Sequence, residues 1–241
     1  MTAPIVALWS APRSRSTAFY RSMVARGDLR TVHEPFCGVT DFGQVTIGTV
    51  TAADHRQVIG ALRALGDDGP VFFKDTTDYR YPAVLADRDF LATARHTFVI
   101  RRPEEIIPSY YALRPDMRLS DVGIEHMHEL FEAVRAAGGH EPVVLDSDDL
   151  VDRPTATMAA YCAAVGLPFD PAALSWPEGA LPDWERTGRW HVEVNGSRGF
   201  VRRPAAYAET TENNPLLARY RDHHQPFYVA LRRHRLTPAA G

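Results

Sequence analysis

The sequence predicts an α/β fold of three layers, a mostly parallel central sheet flanked by helices, with a P-loop-like strand-loop-helix at its N-terminus. Three observations predict it. Short strand-like runs recur at residues 5–9, 30–36, 71–73, 96–101 and 142–145. Helical stretches fall between them, and alternation of that kind favours a parallel sheet covered on both faces. No internal repeat, low-complexity segment or domain linker interrupts the pattern, so residues 1–241 read as one domain.

The first strand, IVALW at residues 5–9, is apolar and β-branched. Residues 10–16 are small, polar and doubly basic, with Pro12 among them. Residues 18–23 read as the first turns of a helix, with Ser16 or Thr17 as its N-cap. Strand, tight turn and helix N-terminus together aim backbone N–H groups and the helix dipole at one spot. Arg13 and Arg15 add charge there, and Ser14, Ser16 and Thr17 add hydroxyls. The turn therefore reads as a phosphate loop. It is not a Walker A loop, which needs two glycines and a lysine. An ordinary turn with surface arginines stays open until a second anion feature appears.

Composition narrows the function. The net charge of −3 argues against a nucleic-acid binder, so any anion is held by a local cluster. Two cysteines, Cys37 and Cys162, are too few for a disulfide scaffold and lack zinc-ligand spacing. There is no signal-peptide pattern at the N-terminus and no run of membrane-spanning length, so a cytoplasmic protein is expected. Lys74 is the only lysine in an arginine-rich chain. Either it survives by chance or a compact ammonium is needed there.

Along the chain, residues 30–36 form a strand that Pro35 ends or places at an edge, with Glu34 in the loop beyond it. Residues 37–51 show no periodicity and read as a loop, a lid or a binding wall. Residues 52–65 carry Val58, Ile59, Leu62 and Leu65 at helical spacing. The strand at 71–73 is followed at once by Lys74 and Asp75. Residues 81–94 read as one helix, as do 120–137, 154–165 and 215–235. After the strand at 96–101, Pro103, Glu104 and Glu105 open another helix, which Pro108 interrupts. An acidic turn follows the strand at 142–145. Ligands of open parallel sheets lie beyond the strands' carboxyl ends, where Glu34, Lys74 and Arg101 all fall.

The second anion feature is Arg101 at a strand end with Ser109 eight residues on, in RRPEEIIPSYY. Together with PRSRST at residues 12–17 it resembles the sulfotransferases that use 3′-phosphoadenosine 5′-phosphosulfate, PAPS. The resemblance implies that the first loop cradles the 5′-phosphosulfate, with Arg13 at the usual lysine place. It implies that Arg101 and Ser109 bind the 3′-phosphate. A glycine-bearing loop near the C-terminus closes over the nucleotide in that family, and Ser197, Arg198 and Gly199 match it loosely.

One departure matters. Many members carry a histidine shortly after the third-strand lysine, and here Lys74 is followed by Asp75, Thr76 and Thr77. Other branches use a glutamate after the second strand, where Glu34 stands. The resemblance implies a soluble enzyme moving a sulfuryl group to a hydroxyl or an amine, in line and without a metal, releasing 3′,5′-ADP. Arg13 and Lys74 would meet charge growing on the bridging oxygen. Glu34 would take the acceptor's proton, with His33 and Asp75 as rival bases. No His/Cys/carboxylate cluster is visible in the sequence. The expected partner is a small or medium, partly apolar acceptor, walled by residues 37–51, 113–122 and 174–190 with Phe42, Trp176 and Trp184. The rival functions are a P-loop kinase or NTPase and a non-catalytic nucleotide binder on the same fold.

Overall fold

The computed structural model describes residues 4–202 and 206–238. Its centre is a five-stranded, all-parallel sheet in the order β2-β5-β1-β6-β7. These strands are β1 (Ile5–Ser10), β2 (Arg30–His33), β5 (Val71–Thr76), β6 (Arg95–Ile100) and β7 (Val143–Asp146). All five strands expected from the sequence are present. β1 lies in the middle, where the strand order reverses, so the loop after it opens onto the crevice that such sheets use for ligands.

Side chains alternate across the sheet and build two cores. On one face Ala7, Trp9, Phe73, Phe98 and Val144 join helices α3 (His55–Asp67), α7 (Ile124–Ala137) and α11 (Pro215–Arg232). On the other Val6, Leu8, Phe72, Val99 and Leu145 join α1 (Ser16–Arg26) and α9 (Pro154–Val165). Burial of one such side chain contributes about 2 kcal/mol, so two dry faces hold the sheet firmly behind the site. Among the described residues, no helix is long and apolar enough to cross a membrane.

Several local expectations need correction. Residues 37–51 are not a loop. Pro35 opens α2 (Pro35–Phe42), because proline suits the first helical position, where its missing N–H costs nothing. An antiparallel hairpin, β3 (Val45–Ile47) and β4 (Val50–Ala52), follows. The second strand therefore stops at His33, and it is indeed an edge strand. β5 runs on to Thr76, which puts Lys74 and Asp75 inside the strand rather than after it. Residues 81–94 form two short helices, α4 (Pro82–Ala86) and α5 (Arg88–Thr93), divided where Asp87 caps the second through Phe90 N–H. Leu119–Val122 is a 3₁₀ turn, and Gly123 at φ 80° separates it from α7. The acidic turn after β7 is a short helix, α8 (Ser147–Asp152). Helix α6 (Pro103–Tyr111) continues through Pro108.

Candidate active site

The loop after β1 is held from both ends. Ser10 Oγ donates to Ser16 Oγ at 2.8 Å, so Ser16 does not cap α1. The N-cap is Arg15, whose side chain makes no cap bond. No side-chain cap takes up the N–H groups at the very start of α1, and an uncapped helix start of this kind suits an anion. Ser14 Oγ is fully buried and has no hydrogen-bond partner. An orphaned hydroxyl there suits an oxygen of a bound anion.

Backbone strain concentrates in the site. Among the described residues, the non-glycine positions at positive φ are Arg13 (64°), Arg15 (64°) and Glu34 (46°). Left-handed backbone costs a non-glycine residue about 1–2 kcal/mol. Glycine would remove that cost, so the side chains themselves are what these positions retain.

The two anion motifs meet. Arg13 Nε donates to Ser109 Oγ at 2.9 Å and Arg13 Nη1 to the Trp190 carbonyl at 3.0 Å. Arg101 Nη1 donates to the Arg13 carbonyl at 2.6 Å. Residues that sequence reasoning missed hold this end together. Glu105 Oε2 accepts from Arg101 Nε at 2.9 Å and from Arg15 Nη2 at 3.2 Å, and Glu105 also pairs with Arg102. Ser147 Oγ and Asp148 Oδ1 accept from Arg15 Nη1 at 3.0 and 2.9 Å. Burial works to raise the Glu105 carboxyl, but Arg101 and Arg102 together outweigh it and the net shift is downward.

Opposite this end, Lys74 and Glu34 form a close ion pair. Glu34 N–H also donates to the Lys74 carbonyl at 2.6 Å, which ties the residue after β2 to β5 twice. Burial would raise the Glu34 carboxyl, yet the Lys74 ammonium and then His33 bring it down to about 2. Alternation along β5 separates the rivals. Lys74 shares the face of Phe72 and Leu8, while Asp75 points to the other face beside Trp9. Asp75 accepts from the N–H groups of Phe36 (2.6 Å), Cys37 (3.2 Å) and Thr76 (2.9 Å), so it caps α2 and does not line the cleft.

His33 is enclosed by Tyr20, Trp184 and His191, at ring distances of 4.9, 5.5 and 5.1 Å. Its Nε2 lies 3.9 Å from Glu34 Oε1 and has no hydrogen-bond partner. Burial pushes its pKa down to about 4. His191, which the sequence did not single out, lies within 3.4 Å of Thr17 Oγ1 and 3.1 Å of Thr187 Oγ1. Burial, with Lys74 nearby, lowers its pKa to about 3. His33, Glu34 and His191 bring ligand-type atoms within 4.8 Å of one another, which corrects the expectation of no such cluster. Position 191 is too far along the chain for spacing to have revealed it. That cluster already contains a cation, the Lys74 ammonium on Glu34.

Both ends open into one cleft of about 700 Å³. Arg13, Ser14, Arg15, Ser16, Thr17, Glu34, Lys74, Arg101, Ser109, Ser197 and Gly199 line it. Arg198 does not. Its side chain is 78% exposed and pairs with Glu178. Of the expected acceptor walls, Phe42 lines the cleft with Arg186 stacked 3.6 Å over its ring. Trp176 and Trp184 are core residues instead, packed with Phe200 and Tyr20. Trp190 takes the wall position between Arg13 and Tyr110.

Comparison with known proteins places the chain in a family. Two Arabidopsis thaliana proteins, branched-chain-amino-acid aminotransferase-like proteins 2 and 1, are 24% and 26% identical over 86% of the chain. The chain spans only 38% of the length of each. The sulfotransferase domain from the curacin biosynthetic pathway shares the fold, at 14% identity and a TM-score of 0.50, covering 75% of this chain and 79% of that one. The family model for the sulfotransferase domain matches residues 4–235. With both anion motifs inside that match, the chain belongs to the sulfotransferase domain family.

Proposed function

We propose that this protein transfers a sulfuryl group from PAPS to a hydroxyl or amine of a small or medium acceptor. The observation that carries the reading is the Arg13–Ser109 contact with Arg101 on the Arg13 carbonyl. It supports one nucleotide spanning both motifs, the 5′-phosphosulfate on the β1 loop and the 3′-phosphate by Arg101 and Ser109. Ser14, Ser16, Thr17 and the open first turn of α1 offer donors to the 5′ side, and Ser197 and Gly199 border the same cleft. The sulfuryl donor is a substrate, and no metal is required in this scheme.

Sulfuryl transfer parallels phosphoryl transfer, where positioning and charge stabilisation dominate. Lys74 and Arg13 stabilise negative charge on the leaving oxygen. Glu34 accepts the acceptor's proton. A carboxyl pulled down to about 2 stays ionised at neutral pH but is a weak base. As negative charge grows on the leaving oxygen, Lys74 turns toward it, and Glu34 gains basicity as it loses its cation.

Two measurements test the reading. Calorimetry should find 3′,5′-ADP bound at least about tenfold more tightly than 5′-AMP, as a charge-assisted phosphate contact implies. Radiolabelled PAPS should pass its sulfuryl group to members of a panel of phenols, alcohols and amines. Tight magnesium-dependent ATP binding without 3′,5′-ADP binding would instead identify a kinase-like protein. Nucleotide binding without transfer would identify a non-catalytic member.

A further inference from the structure

The carboxylates lining the cleft are paired except at one wall, and the lining arginines Arg186 and Arg189 stack on Phe42 and Trp190 rather than pair with those carboxylates. Glu34 is matched by Lys74. Asp116 and Asp121 lie 3.8 and 3.6 Å from Arg114. Asp41 and Asp78, both on the cleft wall, have no basic partner within ion-pair distance among the described residues. Asp41 accepts from Tyr79 Oη at 2.7 Å and from Cys37 Sγ at 3.5 Å. Asp78 Oδ2 has a long contact, 3.5 Å, from Tyr110 Oη, and the Thr76 hydroxyl also favours the ionised carboxylate. Its other oxygen, Oδ1, is buried and has no hydrogen-bond partner at all.

This wall is rigidly placed. Thr77 N–H and Oγ1 both reach the Ser10 carbonyl, at 2.9 and 3.2 Å, and Oγ1 also donates to the Gly123 carbonyl at 2.9 Å. Gly123 sits so close that a Cβ there would fall 2.8 Å from the Thr77 carbonyl. The chain is therefore fixed just before Asp78, and the carboxylate cannot easily turn away to water. An unpaired carboxylate in such a place is costly unless a ligand completes it. Burial, with the charges of Glu34 and Asp41, outweighs a hydrogen bond from the Thr76 hydroxyl and pushes the Asp78 pKa up to about 6.

We propose that the acceptor is an amino alcohol, whose ammonium group is held by Asp78 and Asp41 while its hydroxyl meets Lys74 and Glu34. This rests on the reading of the cleft as a sulfuryl-transfer site and narrows its substrate class. An ammonium offers several N–H donors, which suits the Asp78 and Asp41 carboxylates on the cleft wall. Two carboxylates keep that nitrogen protonated and without a lone pair, so the nucleophile is the hydroxyl oxygen. The acceptor oxygen bonds to sulfur and its proton passes to Glu34. The bond from sulfur to the bridging oxygen breaks, and its electron pair leaves on the phosphate of 3′,5′-ADP. The ammonium is unchanged throughout.

The test measures binding to the full chain loaded with 3′,5′-ADP, using probes matched except for the charge. Tyramine is compared with 4-ethylphenol, and 6-aminohexanol with 1-hexanol. At least one amine should bind about tenfold or more tightly than its neutral match, as expected of a charge-assisted contact. Asp78→Asn should cut that ratio about fivefold or more and leave the neutral probe unaffected, and Asp41→Asn should act in the same direction. Equal affinity within both pairs, no measurable binding of any probe, or a ratio untouched in both variants overturns the proposal. If 3′,5′-ADP itself fails to bind, the sulfuryl-transfer reading falls and the proposal falls with it. Normal 3′,5′-ADP binding without amine preference overturns the substrate class alone.

Discussion

The two ends of the cleft treat charge in opposite ways. At the arginine end, Arg15, Arg101 and Arg102 share Glu105, and Arg15, Arg102 and Arg202 share Asp148. Each guanidinium is held in place before any anion arrives, so little ordering entropy is left for binding to cost. At the carboxylate end, one ammonium serves Glu34, and Asp41 and Asp78 go without a cation among the described residues. The first end is organised by pairing within the protein. The second is left incomplete, as expected where a ligand supplies the missing charge.

The largest expected effect is at the junction of the two. Glu34→Gln keeps the shape and removes the basicity, so kcat should fall about 10²–10⁴-fold with 3′,5′-ADP affinity unchanged. Lys74→Ala should lower kcat about 10²-fold, and Lys74→Arg should recover only part, because a planar fork replaces a point charge poorly. Because the two side chains act as a pair, the double variant should be little worse than Glu34→Gln alone. Single-turnover assays decide this. Wild-type turnover in Glu34→Gln, with a dead His33→Gln, would move the base to the imidazole whose Nε2 lies 3.9 Å away.

Next in size is nucleotide selectivity at the arginine end. Arg101→Ala should weaken 3′,5′-ADP by about 2–4 kcal/mol and barely change 5′-AMP. Arg198→Ala should shift neither by more than about 0.5 kcal/mol, because its side chain is exposed and outside the cleft lining. Calorimetry with both nucleotides checks the pair. A large effect at Arg198 would mean that this loop folds inward over bound nucleotide.

Much of the arginine end was legible in the sequence, because its donors come from two short motifs whose spacing is set by one strand-turn-helix each. The five strands were legible for a related reason: strands buried on both faces leave apolar runs. The carboxylate end was harder to see. Asp78 follows the same strand as Lys74, yet nothing local marks an aspartate as orphaned, since that depends on what the rest of the fold fails to bring near it. His191 and Trp190 reach the cleft from a segment whose tryptophans looked like ligand walls, and two of those tryptophans, Trp176 and Trp184, went to the core instead. The helix at Pro35–Phe42 was hidden because Pro35 suits a strand end and a helix start alike, and only Asp75 N-capping from β5 distinguishes them.

The smallest effects separate the two ends by sign. Glu105 has a folded-state pKa below its unfolded value, so it contributes stability above pH about 4.5 that is lost as pH falls through the folded value. Glu105→Gln should therefore destabilise by about 1 kcal/mol at pH 8 and by less at pH 4. Asp78 is the reverse case, raised to about 6 by burial first and then by Glu34 and Asp41. Between pH about 4 and 6 the folded chain holds a proton there that the unfolded chain has lost, so stability falls as pH rises across that window. Asp78→Asn removes the uncompensated charge, and it should stabilise by about 1–3 kcal/mol at pH 8 while changing little at pH 4. Urea midpoints of both variants at pH 4 and pH 8 are the measurement. If the two shift in the same direction at pH 8, the cleft has no incomplete end, and Asp78 is an ordinary structural carboxylate. If Asp78→Asn gains stability while losing the preference for amines, the instability is the counterpart of a binding site, as expected where function keeps a charge that folding alone would discard.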